Sequence, residues 1–176
     1  ASKAEKPKGE KAKAPEASPE ILAGVDAIVR EAEEARFLGS RRRFGKAFAS
    51  LDGLESRLGA LKAGATPADE VALRRGSEAL ASTLTSVKDQ LATASRPVLE
   101  QGIADLGRVR SAKLDDPGVL GAYAEVFPVI RWKDRLPQDL RLEVEEFMRQ
   151  CRARMTEDGW ARAHQLGQGR PFPGQS

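Results

Sequence analysis

Two short stretches hold residue types that recognise anions. The first is FLGSRRRFGKAF, residues 37–48, in which Arg41, Arg42, Arg43 and Lys46 stand between a Gly-Ser pair and a Phe-rich pattern. An arginine fork matches phosphate or carboxylate oxygens, and the free N–H groups of a helix start add to such a site. The second is RWKDR, in which Arg131, Lys133 and Arg135 surround Trp132. Basic and aromatic side chains together can stack on and clamp a single nucleic-acid strand, and Trp and Arg are also frequent anchors of protein interfaces. These eight residues are the candidate partner-binding positions.

Each stretch also has a plain structural reading. Glu31, Glu33 and Glu34 lie one helix back and are expected to neutralise the arginines across the junction, since exposed ion pairs cost or gain little. Asp134 dilutes the charge of the second stretch, and a Trp between helices is most simply core.

Other chemistry is sparse. His164 is the single histidine and Cys151 the single cysteine. A metal site of the usual kind wants several His or Cys ligands, and a catalytic triad would have to rest on His164 alone. His164 is expected at the surface. Cys151 falls in register with Leu140, Val144 and Phe147, so it reads as a small buried hydrophobe. Glu143, Glu145 and Glu146 lack the Glu-x-x-His units of carboxylate metal bundles and read as a solvated face. No glycine-rich phosphate loop follows a strand. The expectation is a protein that is not an enzyme and needs no metal or cofactor.

The elements that must position these residues are helical. Ser18 caps, Pro19 starts and Glu20 complements the dipole of a first helix. Its face is Ile21, Val25, Ile28, Ala32 and Ala35, spaced 4-3-4-3. Phe44, Phe48, Leu51 and Leu58 make a second face. At about 100° per residue it lies some 140° from the first, so the stripe loses phase between residues 38 and 44. The phase slip predicts a turn there, with Gly39 ending one helix at positive φ and Ser40 capping the next.

Gly64, Thr66 and Pro67 mark another break, followed by a stripe of Leu73, Leu80, Leu84, Val87 and Leu91 that runs to about residue 94. This third helix and the second form an antiparallel hairpin. Pro97 then opens a fourth helix with Leu99, Ile103 and Leu106 inward. Asp116 and Pro117 start a short helix over Val119, Leu120, Tyr123, Val126 and Phe127. A loop or a turn of helix bounded by Pro128 and Pro137 leads into a last helix ending near Leu166.

No segment alternates with period two. The fold expected is all-α: an elongated helical bundle built on a long antiparallel hairpin, with a smaller C-terminal cluster. The regions are a Lys/Ala/Pro/Glu tail at 1–18, the hairpin at 19–95, the cluster at 96–166 and a Gly/Pro tail at 167–176. Both tails are expected to be disordered, the second unless it docks.

Composition narrows the function. The 176 residues include 29 Lys and Arg against 26 Asp and Glu, so any polyanion site must be a local patch. One cysteine forms no internal disulfide, which makes a reducing, cytoplasmic setting the default. No run approaches a membrane span, and no apolar segment follows the leading lysines as in a secretory signal. The Ala/Arg/Gly usage suggests a GC-rich bacterial source. With few aromatics and narrow Ala-rich stripes, the chain reads as a non-enzymatic helical interaction module: a scaffold, adaptor or assembly factor. Its coiled-coil-like packing implies a protein partner or a homo-oligomer. The alternative is a nucleic-acid-associated protein in which the lysine tail tethers and the arginines contact phosphates.

Overall fold

A computed structural model describes residues 16–176. The expected tail at 1–18 therefore lies almost wholly outside the described residues. Among these, six α-helices and two short 3₁₀ turns carry the fold, with no strand. The helices are α1 (Pro19–Ser40), α2 (Phe44–Ala63), α3 (Glu70–Arg108), α4 (Pro117–Ile130), α5 (Gln138–Arg152) and α6 (Glu157–Gln168). The fold is all-α, as the periodicity predicts.

The first three helices form a bundle. Ser18 caps α1, its Oγ accepting from the Ile21 N–H. Ile21, Val25, Ile28, Ala32 and Ala35 are all buried. The second face, Phe44, Phe48, Leu51 and Leu58, is buried along α2. Glu31 pairs with Arg57, and Gly24 faces Leu61, so α2 runs antiparallel to α1. Asp26 meets Arg75 near the start of α3, and Gly39 faces Gln90 further along it, so α1 and α3 run parallel.

Several boundaries differ from those read in sequence. The third helix does not stop near residue 94; α3 continues through Pro97 for 39 residues. An interior proline removes one helix hydrogen bond, here to the Thr93 carbonyl. Pro97 and Thr93 are both exposed, so the loss falls on the solvent side of the helix, while Leu91, Leu99 and Leu106 keep one buried stripe across the proline. The boundary placed between residues 95 and 96 thus falls inside a helix. Ile103, expected inward, is 48% exposed.

The last helix is two helices. Thr156 caps α6 by accepting from the Gly159 N–H, and Glu157 and Asp158 fill its first turn. Met155 is buried in the connection, which explains why the apolar pattern runs straight through. The loop start also shifts: α4 carries Pro128 and reaches Ile130 before the 3₁₀ turn Lys133–Arg135.

α3 is the shared spine. Its first half packs against α1 and α2, its second against α4 and α5, and α6 lies on α4. Gly102 makes the second contact close. A Cβ there would stand 2.1 Å from Cγ2 of Val126 and 3.3 Å from the Phe147 ring. The glycine that weakens the helix locally lets α4 approach, and one continuous apolar core spans both halves.

Candidate functional site

The arginine turn sits between α1 and α2, three residues later than Gly39 suggests. α1 runs through Gly39 to Ser40, and the residue with positive φ is Arg42, at 61°. Arg43 N–H donates to the Leu38 carbonyl at 2.9 Å and Arg42 N–H to that of Gly39 at 2.9 Å. This is a Schellman closure with arginine where glycine is usual, a choice that costs about 1–2 kcal/mol. Gly39 has another effect: a Cβ there would lie 2.1 Å from Oε1 of Gln90 on α3, so that flexible side chain would have to move aside. Ser40 donates to the Phe37 carbonyl and caps nothing; Arg43 precedes α2, which has no side-chain cap. The three guanidiniums therefore follow the C-terminus of α1, whose dipole favours positive charge.

The expected neutralisation by Glu31, Glu33 and Glu34 does not occur. Glu31 pairs with Arg57 and Glu33 with Arg36. The arginines instead meet the C-terminal tail, which is docked rather than free. Arg42 donates through Nη1 to the Pro173 carbonyl at 2.7 Å, and Arg43 through Nε to the Ser176 oxygen at 2.7 Å. Arg41 donates to Ser176 Oγ at 3.3 Å, and its own carbonyl accepts from the Ser176 N–H at 3.2 Å.

Two features fold the tail this way. Phe172 is buried edge-on against Phe44, ring centroids 4.9 Å apart. Beyond it, the Gln175 N–H donates to the Phe172 carbonyl at 3.0 Å, and Gly174 has φ of 79°. Pro173 and Gly174 thus occupy the central positions of a turn that requires positive φ at its third residue, a conformation favouring glycine.

The second basic stretch reaches the same place in part. Trp132 is half-buried, its ring 5.3 Å from that of Phe48. Arg131 donates through Nη2 to the Gln168 carbonyl at 2.8 Å and lies over the Phe127 ring. A cleft of about 310 Å³ results, lined by Arg42, Arg43, Lys46, Arg131, Trp132 and Phe172 among others. The two stretches, separate in sequence, share one concavity.

Not every candidate joins it. Arg135 makes hydrogen bonds of 3.1 and 3.2 Å to the two carboxylate oxygens of Asp52 and lies over the Phe48 ring. Lys133 stands 3.5 Å from both Asp134 and Glu145. Arg41 lies over Phe37, outside the cleft lining. The residues missed in sequence are those of the tail, chiefly Phe172. The signal was present, since Phe172 is its only large apolar residue and Pro173-Gly174 is a turn pair.

The remaining reactive groups are committed to packing. His164 is not a free surface residue. Its Nδ1 lies 2.8 Å from the Trp160 carbonyl, which places the proton there, and Nε2 accepts from Tyr123 Oη at 3.1 Å. Burial pushes the Cys151 thiol up to about 12, so it is a thiol at neutral pH. Among the described residues no group of three His, Cys, Asp or Glu is placed to hold a metal ion. Among them, too, no helix is long and apolar enough to cross a membrane. Set beside known proteins, the chain matches no family model, no curated protein and no solved structure.

Proposed function

We propose that this chain is a non-enzymatic helical interaction module that meets its partner at the basic junction. One observation supports this reading above others. Arg42, Arg43, Lys46 and Arg131 converge on a single cleft, and none has a side-chain carboxylate within ion-pair distance among the described residues. Several other arginines are paired, among them Arg57 with Glu31, Arg75 with Asp26, Arg96 with Asp139 and Arg152 with Glu157, whereas Arg154 bonds backbone oxygens away from the cleft. Backbone oxygens of the tail satisfy individual donors at the junction, yet the guanidiniums keep unused N–H groups. The buried apolar stripes are spent on the chain's own core, while these cations gather in one cleft.

The partner must present anions, which an acidic protein surface or a nucleic-acid backbone would supply. Between the two, Trp132 standing among the cations favours nucleic acid. The test is affinity capture, with and without nuclease, by wild type and by an Arg43→Glu/Arg131→Glu variant of matched fold. The expected result is a partner held by wild type and lost from the variant. Equal capture by both would place the contact elsewhere.

A further inference from the structure

We infer that the cleft at the arginine turn is a site for the phosphate groups of single-stranded nucleic acid, and that the C-terminal tail is its built-in competitor. The inference rests on the junction being the contact surface and goes on to name what it contacts. Four positive side chains line the cleft and, among the described residues, no carboxylate side chain does. The donors of Arg42, Arg43 and Arg131 are each held by a backbone oxygen at 2.7 to 2.8 Å, the distance of a charge-assisted bond to oxygen. The tail offers the Pro173 and Ser176 oxygens to Arg42 and Arg43, and Gln168 at the end of α6 offers a third to Arg131; phosphate oxygens carry a full charge where the Pro173 and Gln168 carbonyls carry none.

Phosphate is favoured over carboxylate by number and by neighbour. A phosphodiester brings a fixed charge at every step of a strand, which matches cations spread from residue 42 to residue 131 around one concavity. Trp132 lines the same cleft with one side of its ring on Phe48 and is half-exposed. An aromatic beside a basic groove gives an unpaired base a surface to stack on, which a duplex does not offer.

The competitor is built to yield. The tail is held by one apolar anchor, Phe172, and by hydrogen bonds to the arginine turn. Residues 169–176 hold no helix, and Gly169 has no neighbour that a Cβ would strike. Peeling off the tail frees Arg42 and Arg43 together. A ligand for the open state then binds with an affinity reduced by the fraction of molecules that are open.

Fluorescence anisotropy of a labelled 20-nucleotide oligothymidylate tests this with the full chain. Wild type is expected to bind, with an affinity that falls steeply as salt rises. Phe172→Ala, which loosens the tail without removing a cation, is expected to bind at least about threefold tighter. Gly174→Ala, strained at φ of 79° and 2.6 Å from Arg42 Nη1, is expected to act in the same direction. Arg43→Ala/Arg131→Ala is expected to bind more weakly, with a salt slope shallower by about one for each phosphate left without its arginine. Polyglutamate of equal charge is expected to compete poorly.

Tail variants that bind no tighter than wild type overturn the competitor. Equal competition by polyglutamate overturns the phosphate assignment. If neither wild type nor Phe172→Ala binds the oligonucleotide while capture still depends on Arg43 and Arg131, the phosphate inference falls and the junction reading stands. If capture is independent of both arginines, the two fall together.

Discussion

Asp69 ties the starts of two helices with three hydrogen bonds. Its Oδ1 accepts from the Ser18 N–H at 2.9 Å; its Oδ2 accepts from the Thr66 N–H at 2.9 Å and the Thr66 hydroxyl at 3.2 Å. The bonds from the Thr66 and Ser18 N–H groups hold its carboxyl below the usual range. Asp115 does the same for α6: the Thr156 hydroxyl, then the Thr156 N–H, depress its pKa. A depressed carboxylate contributes stability that is complete above its unfolded value, 3.8 for Asp, and is lost as pH falls through the folded one. Asp69→Asn is therefore expected to lower Tm at pH 7, with the difference from wild type shrinking below about pH 4 in thermal melts across pH. Gly102→Ala, whose Cβ would meet Val126, is expected to cost about 1–3 kcal/mol in urea titrations. The Thr66-Pro67 start was legible in sequence. The Asp69 bond to Ser18 was not, because it joins residues 51 positions apart and exists only once α1 and α3 lie parallel.

At the scale of the element, burial followed period closely. The faces of α1, α2, α4 and α5 read from spacing alone are the buried faces. Boundaries were less legible, because a helix end is a balance between local chemistry and packing. Pro97 argues for an end, but the stripe on either side continues and wins. Thr156-Glu157-Asp158 argues for a start, but buried Met155 masks it. Pro97→Ala restores a hydrogen bond on an exposed helix surface and is expected to stabilise the protein by up to about 3 kcal/mol, read from the urea midpoint at unchanged slope. The arginine turn behaves in the opposite sense. Arg42→Gly relieves a residue at φ of 61° while deleting the bond to Pro173, so global stability is expected to hold or rise as tail amides exchange faster.

Across the whole molecule, the spine α3 joins a three-helix bundle to a C-terminal cluster in one core. The tail then returns along α4 to the α1–α2 turn, some 130 residues back in the chain. That return is what sequence could not supply. Both basic stretches were visible as compositions, but local spacing says nothing about whether residue 42 meets residue 131 or 173. It also explains where the donors of Arg42 and Arg43 go: to main-chain oxygens of Pro173 and Ser176, far along the chain and not to the nearby Glu side chains. Backbone amide hydrogen exchange at residues 170–176, measured with and without saturating 20-nucleotide oligothymidylate, tests displacement of the tail most directly. Protection of these amides in the free protein, and faster exchange when the strand is bound, are the predicted results. Tail exchange that is unchanged or slowed by the bound strand would contradict displacement.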